Sequence, residues 1–161
     1  MKTGDTRECA VAQIRRARPD DGQAVRRFVF ATFAAYGIEP DLDGVDRAIM
    51  RFGELEEPVD EFVAEVDGIV VGSVIVAPHS PAVGWLSKFF VDAGFRGRGI
   101  GRKLLEHAVR AARARGYRRL ELDTRTMFKE AIHLYEATGW IKSPDPPAAR
   151  QCDAFYSLDL R

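Results

Sequence analysis

The stretch from Trp85 to Arg115, WLSKFFVDAGFRGRGIGRKLLEHAVRAARAR, decides the reading of the chain. An apolar run ending in Phe89-Phe90-Val91 leads into a glycine-rich turn. The turn opens a helix whose residues Ile100, Leu104, Leu105, Ala108, Val109 and Ala112 share one apolar face. In Arg96-Gly97-Arg98-Gly99-Ile100-Gly101, glycines alternate where the helix begins. The first N–H groups of a helix lack intrahelical acceptors, and the aligned peptide dipoles place about half a positive charge at that end. Glycine admits unusual backbone angles and lets ligand oxygens approach the main chain. Arg96, Arg98, Arg102 and Lys103 add full charges nearby. The stretch therefore predicts an anion cradle suited to a phosphate.

Spacing excludes two other phosphate loops. A P-loop needs GxxxxGK followed by Ser or Thr, but five residues after Gly97 stands Arg102, and five after Gly94 stand Gly99 and then Ile100. A dinucleotide fingerprint needs GxGxxG, but Arg102 lies three beyond Gly99 and Leu104 three beyond Gly101.

Beyond this stretch, 161 residues with 46% apolar composition are the size of one ordinary domain, and residues 1–161 are read as one. The 24 basic and 24 acidic side chains cancel, so no whole-molecule field recruits nucleic acid or an anionic membrane. Locally the balance is uneven. Nine Lys or Arg face a single acid, Glu106, between Arg96 and Arg119, while residues 39–46 and 54–61 are acid-rich. Cys9 and Cys152 are too few for a disulfide framework or a zinc site, and neither sits in a CxxC pair. The start, MKTGDTRECAV, lacks the apolar core of a secretory signal, and no run approaches the ~18 apolar residues of a membrane span. A cytoplasmic location is expected.

In chain order, Ala10 to Arg16 reads as a first strand, stopped by Pro19 and Asp20-Asp21-Gly22, with Asp20 or Asp21 expected to cap a helix. Ala24, Val25, Phe28, Val29, Thr32 and Phe33 give that helix an apolar face up to Tyr36-Gly37. A loop at 38–43 and a shorter helix around Val45, Ile49, Met50 and Phe52 follow. Residues 61–66 alternate, Asp67-Gly68 is a hairpin turn, and Ile69 to Ala77 is a buried β-branched strand that Pro78 to Pro81 should end. Val83 to Val91 is the fourth strand, and Tyr117 to Thr124 is a fifth, parallel to it because a helix joins them. Met127 to Ala137 reads as a helix and Trp140-Ile141 as a short strand. Residues 143–150 form a loop whose prolines block regular hydrogen bonding, and Cys152 to Leu160 is a last strand.

RGRGIG after the fourth strand and AIHLYEATGW in the last helix together resemble the GNAT superfamily of acetyl-coenzyme A dependent N-acetyltransferases. Arg96, Gly99 and Gly101 fit the family's Arg/Gln-x-x-Gly-x-Gly/Ala pattern. Ala131, Leu134, Tyr135, Glu136 and Gly139 fit its Ala-x-x-Leu-Tyr-Glu-x-x-Gly-aromatic ending. The resemblance implies an α/β (α+β) GNAT fold. Its mixed, mostly antiparallel sheet would have about seven strands, the fourth and fifth splayed at the cofactor site, with about four flanking helices. It also implies acetyl-coenzyme A as co-substrate and no metal, with Arg96, Gly97, Arg98, Gly99, Ile100, Gly101 and Arg102 on the pyrophosphate. Phe89, Phe90 and Val91 would hold the pantetheine arm through their backbone, and an N–H near Val91 would polarise the thioester carbonyl. Tyr135 would protonate the departing thiolate. The sequence departs from the pattern at Phe128, where many family members carry Asn; the missing contact would fall to Thr124, Arg125 or Thr126.

An alkyl ammonium titrates at about 10.4, by comparison with lysine, so an acceptor amine must lose a proton to attack. Asp92, directly after the fourth strand, is the first candidate base, ahead of His79, Glu65 and Glu39. Acceptor contacts are expected opposite the coenzyme, at residues 36–46 and 143–150, with Tyr36 and Glu39 named first. Asp41, Asp43 and Asp46 are further acids able to attract a cation. The resemblance implies direct attack in a ternary complex by a small-molecule amine or amino acid, with a protein N-terminus or lysine as the alternative acceptor. Two other classes stay open. One is a domain that binds acyl-coenzyme A without transferring it. The other is a nucleic-acid face built from Arg110, Arg113, Arg115, Arg118 and Arg119, against which stand the zero net charge and the lack of a recognition module. A homodimer is left open.

Overall fold

Alternating apolar residues and tight turns build a seven-stranded mixed sheet, which the computed structural model describes over residues 11–161. Cys9, and Ala10 at the start of the expected first strand, lie outside the described residues. β1 (Gln13–Arg16), β2 (Asp60–Val66), β3 (Ile69–Ser80) and β4 (Val83–Val91) pair antiparallel in sequence order. β5 (Arg119–Thr124) lies parallel to β4, as a helical crossover demands. β7 (Ala154–Asp159) then pairs antiparallel with β5, and β6 (Ile141–Lys142) closes the far edge. Four helices flank the sheet: α1 (Gly22–Ala35), α2 (Arg47–Met50), α3 (Ile100–Ala114) and α4 (Lys129–Ala137).

Because strand side chains alternate between faces, the sheet builds two cores. On one face, Phe62, Val74, Leu86, Leu120 and Leu122 meet Ile100, Leu104, Leu105 and Ala108 of α3. On the other, Val63, Val70 and Ile75 meet Val25, Phe28, Val29 and Phe33 of α1, joined by Ile49 of α2. Each fully buried leucine of α3 contributes roughly 1.5–3 kcal/mol, so the helix that carries the glycine turn is pinned to the sheet along its apolar stripe.

A polar clasp fixes the other end of α3. Arg115, just past its last turn, donates to both oxygens of Asp60 at 2.8 and 2.9 Å, and Arg16 of β1 donates to the same carboxylate at 2.9 Å. Burial alone would raise the Asp60 carboxyl, but the two guanidinium groups outweigh it and hold the group below its ordinary value.

Two local expectations are corrected. Asp21 stands at the start of α1, yet its side chain does not cap that helix. The carboxylate takes the Arg18 N–H at 2.7 Å and a fork from Arg15 at 2.8 and 2.9 Å, because the guanidinium is the stronger donor. Nor does Pro78 end β3, which continues to Ser80. The register shifts between Pro78 and Ser80, and an irregularity of this kind tolerates a residue without an N–H.

Candidate active site

The parallel pairing of β4 with β5 is short. It runs only through Val83 with Arg119, Gly84 with Leu120 and Trp85 with Glu121. From Leu86 to Val91, the edge of β4 that faces β5 has no strand partner, and an unpaired edge presents free N–H and C=O groups. The strands separate there around a cleft of about 1010 Å³. Its walls include β4 from Trp85 to Val91, the glycine turn, Tyr135 of α4, and Tyr36 and Asp46 from the opposite side.

Inside the cleft β4 carries one residue too many. Ser73 faces Phe90 and Ile75 faces Ser87, so β4 advances three residues while β3 advances two. This bulge holds Lys88 at φ 51°, and the Lys88 carbonyl accepts the Ser73 hydroxyl at 2.8 Å. Its ammonium donates to Asp46 at 2.7 Å, with the two side chains only 12% and 5% exposed. The bulge thus ties the strand to the segment between α1 and α2.

The turn is built as an anion cradle. Gly97 and Gly99 both sit at φ 77°, where a Cβ is strained, with no neighbouring atom within 4 Å of that position. The N–H groups of Gly97 through Arg102 find no backbone acceptor among the described residues; the first helical bond runs from Lys103 to Gly99 at 3.2 Å. A Cβ on Gly101 would lie 3.3 Å from Leu134 and from Phe89, so α3, α4 and β4 converge tightly under the cradle. The side chain of Arg96 is committed elsewhere. It donates to the Val91 carbonyl at 3.2 Å and to Thr32 of α1 at 3.3 Å, bracing the turn instead of extending toward a phosphate. Arg98 lies over the Phe95 ring, 4.9 Å from its centroid, outside the cleft lining that Arg102 joins.

Tyr135 stands in the cleft wall, 4% exposed, among the rings of Phe89, Trp140 and Tyr156 at 5.9, 5.6 and 5.8 Å. Burial, aided by neighbouring Tyr156, pushes its hydroxyl well above the ordinary phenol range. The group keeps its proton until a strong base arises beside it.

Residues 26–140 match the model of the acetyltransferase (GNAT) family. The chain belongs to that family. It is a GNAT acetyltransferase that uses acetyl-coenzyme A, and the uncharacterized N-acetyltransferase YjgM of Escherichia coli (strain K12) is 32% identical to it over 135 residues, 79% of this chain and 80% of that protein. The fold superposes on a GNAT-family acetyltransferase from Staphylococcus aureus Mu50 with a TM-score of 0.83, at 21% identity over 94% of this chain and 100% of that one. A second likeness, yncA from Salmonella typhimurium, was solved with acetyl-CoA; it gives a TM-score of 0.75 at 21% identity over 93% and 94% of the two chains.

Within this GNAT chain, the family's usual Asn is replaced by Phe128, and the structure shows what the ring does. It meets Tyr36 edge to face at 5.1 Å and Phe90 at 6.0 Å, and Phe90 meets Phe33 at 5.6 Å. An aromatic chain therefore spans the cleft from α4 to α1. Thr124 and Arg125 line the cleft, whereas Thr126 is turned to Asp153, to which its N–H and hydroxyl donate at 2.8 and 2.7 Å.

Several acids expected at the acceptor site stand elsewhere. The Asp92 carboxylate accepts the Gly94 N–H at 3.2 Å and lies 3.9 Å from Arg27, as a local cap outside the cleft lining. Glu39 and Asp43 do not line the cleft, whereas Tyr36 and Asp46 do. Glu65 is held by Arg15 at 2.6 Å, and His79 lies 4.0 Å from Glu121. Sequence reasoning missed Lys88, Gln151 and Asp123, all in the lining. Asp123 had a signal: in RLELDT it alternates with Glu121, an acid at the carboxyl end of a strand, where ligands of open sheets gather. Among the described residues, no group of three His, Cys, Asp or Glu could hold a metal ion, and no helix is long and apolar enough to cross a membrane.

Proposed function

We propose that this GNAT chain moves an acetyl group from acetyl-coenzyme A directly onto a primary amine in a ternary complex, the acceptor being a small-molecule amine or amino acid. The observation that carries the reading is one continuous path: the free N–H groups of Gly97 and of residues 99–102, the unpaired edge of β4, and Tyr135 all border the same cleft. The bound thioester supplies an electrophilic carbonyl carbon. The cradle amides grip the diphosphate, and the open edge of β4 takes the pantetheine amides as a partner strand would. A β4 N–H near Val91 polarises the carbonyl, a donor of a kind whose loss costs on the order of 100-fold or more. Tyr135 gives its proton to the sulfur. An ordinary phenol at about 10 holds its proton more tightly than a thiol at about 8.5, but the same dry pocket raises the proton affinity of a thiolate formed in it.

Direct transfer is favoured over an acyl-enzyme route by Cys152. This thiol lines the cleft, yet burial, with Asp123 adding to it, pushes it above the usual range and away from the nucleophilic thiolate. A small acceptor is favoured by Gln151, which donates to Asp41 at 3.1 Å and so links the two loops on the acceptor side. A peptide laid across that side would have to part them.

The test is thiol release from acetyl-coenzyme A with phenethylamine, spermidine, glycine, a dipeptide and a lysine-bearing peptide, alongside calorimetry of coenzyme binding. Intersecting initial-rate lines and a preference for the small amines are expected. Parallel lines would overturn the ternary complex, a preference for peptides the acceptor class, and coenzyme binding without any turnover the transfer itself.

A further inference from the structure

We propose that Asp123 is the catalytic group that receives the acceptor's ammonium and removes its proton. The inference rests on the acetyl transfer proposed above. Asp123 lies on β5 two residues beyond Glu121, the last β5 residue paired with β4, and so stands where the strands part. Its Oδ2 accepts the Ala149 N–H at 2.8 Å. Its Oδ1 is buried and has no hydrogen-bond partner among the described residues, although the residue lines the cleft. A buried carboxylate oxygen left without a donor is unfavourable, and a cationic N–H entering the cleft would relieve that penalty.

Four other acids nearby are already engaged. Asp46 holds Lys88 at 2.7 Å, Glu121 holds Arg119 at 2.7 Å, Asp41 holds Gln151 at 3.1 Å and Asp153 holds Thr126. Trp85, paired across from Glu121, lines the same cleft and adds an aromatic surface that suits an ammonium. The charged groups that act on Asp123 are Glu121 on its own strand and His79 from β3; Asp123 in turn acts on Cys152 before β7, which also feels Lys88 from β4, Arg125 after β5 and Asp153. Burial, reinforced by Glu121, raises its carboxyl above the ordinary value, against the Ala149 and Ala148 N–H groups and His79, and moves it toward the range a base needs near neutrality.

The step balances as follows. Asp123 takes one proton from the ammonium, and the freed lone pair forms the C–N bond at the thioester carbonyl. The C–S bond breaks and the sulfur takes the proton of Tyr135. The nitrogen sheds its surplus proton, which restores Tyr135, and Asp123 returns its own to solvent. The products are an acetamide, a free thiol and one proton.

Asp123→Asn keeps an oxygen for the Ala149 N–H and removes the base. In the full chain, kcat/KM with phenethylamine at pH 7 should fall by about 100-fold or more, while calorimetry shows acetyl-coenzyme A binding unchanged. With 2,2,2-trifluoroethylamine, which is largely neutral at that pH, the defect should shrink to about tenfold or less, a contrast that a merely structural role would not produce. Turnover that survives the substitution, or equal defects with both amines, overturns the assignment of Asp123 while leaving acetyl transfer standing. A wild type that binds the coenzyme but acetylates no amine overturns both. The wild type gives a second measurement that needs no variant. With phenethylamine its kcat/KM should rise at acid pH and level off well below the amine's own titration at about 10; a tenfold rise per pH unit persisting to pH 9 would sink the idea.

Discussion

The hydroxyl of Ser73 donates to the carbonyl of Lys88 at 2.8 Å across the point where β4 carries its extra residue. Ser73 has no exposed surface, so Ser73→Ala would leave a bulge carbonyl short of its donor, at a cost of about 1–3 kcal/mol. A lower melting temperature is expected, with kcat reduced more than coenzyme affinity, because the bulge aims the β4 amides. An unchanged melting curve would show that the hydroxyl does not hold the bulge.

Tyr135→Phe removes the hydroxyl proposed to protonate the sulfur and little else, since the ring remains packed against Phe89, Trp140 and Tyr156. A fall in kcat of about 100-fold or more is expected with acetyl-coenzyme A affinity preserved. Because burial raises the Tyr135 hydroxyl, the folded state loses this proton later than the unfolded chain does. Stability should therefore be unaffected by this group below pH about 10 and decline above it; Tyr135→Phe should blunt that decline in melts taken at high pH.

Gly99→Ala places a Cβ at φ 77° where space is open, so the penalty is backbone strain of about 1–2 kcal/mol and no clash. If the turn relaxes to relieve the strain, its amides lose their common aim. Calorimetry should find the coenzyme bound about tenfold more weakly, and thermal melts should move only slightly.

Asp60→Asn tests the clasp at the far end of α3. Two arginines hold the Asp60 carboxyl below its ordinary value of 3.8, so its contribution is complete above that pH and is lost as pH falls through the lower folded value. Breaking a buried ion pair costs about 3–5 kcal/mol, and the lower end is expected because Arg16 is largely in solvent. Urea titrations at pH 7 and pH 3 should show a difference between variant and wild type that narrows on acidification.

Much of the fold was legible because local chemistry and global topology agree. Asp67-Gly68 closes the β2 to β3 hairpin, the apolar stripe of α3 faces the sheet, and the glycine turn stands where its spacing put it. Pro78 misled because a proline's effect depends on whether its partner strand needs the missing N–H, and the register shift there removes that need. The bulge at Lys88 was invisible for a related reason: an extra residue exists only relative to the opposing strand. Asp92 drew attention by its position after β4, yet nothing in one sequence shows that Gly94 lies within reach of its carboxylate. Asp123 carried a signal in its alternation with Glu121, but its surroundings emerge only once three strands and the loop carrying Ala149 enclose it. Phe128 breaks the family pattern, and only the packed structure reveals that Tyr36 and Phe90 are its neighbours.

Arg96 touches both the last carbonyl of β4 and Thr32 of α1, so whatever stiffens the glycine turn also stiffens the helix that ends beside Tyr36 in the cleft wall. The consequence is temporal. If acetyl transfer runs through the proposed ternary complex, the nucleotide is expected to load before the acceptor, and Thr32→Val, which cuts the link, to abolish that order. A dead-end amine analogue, uncompetitive against acetyl-coenzyme A in the wild type and mixed in the variant, would record the change.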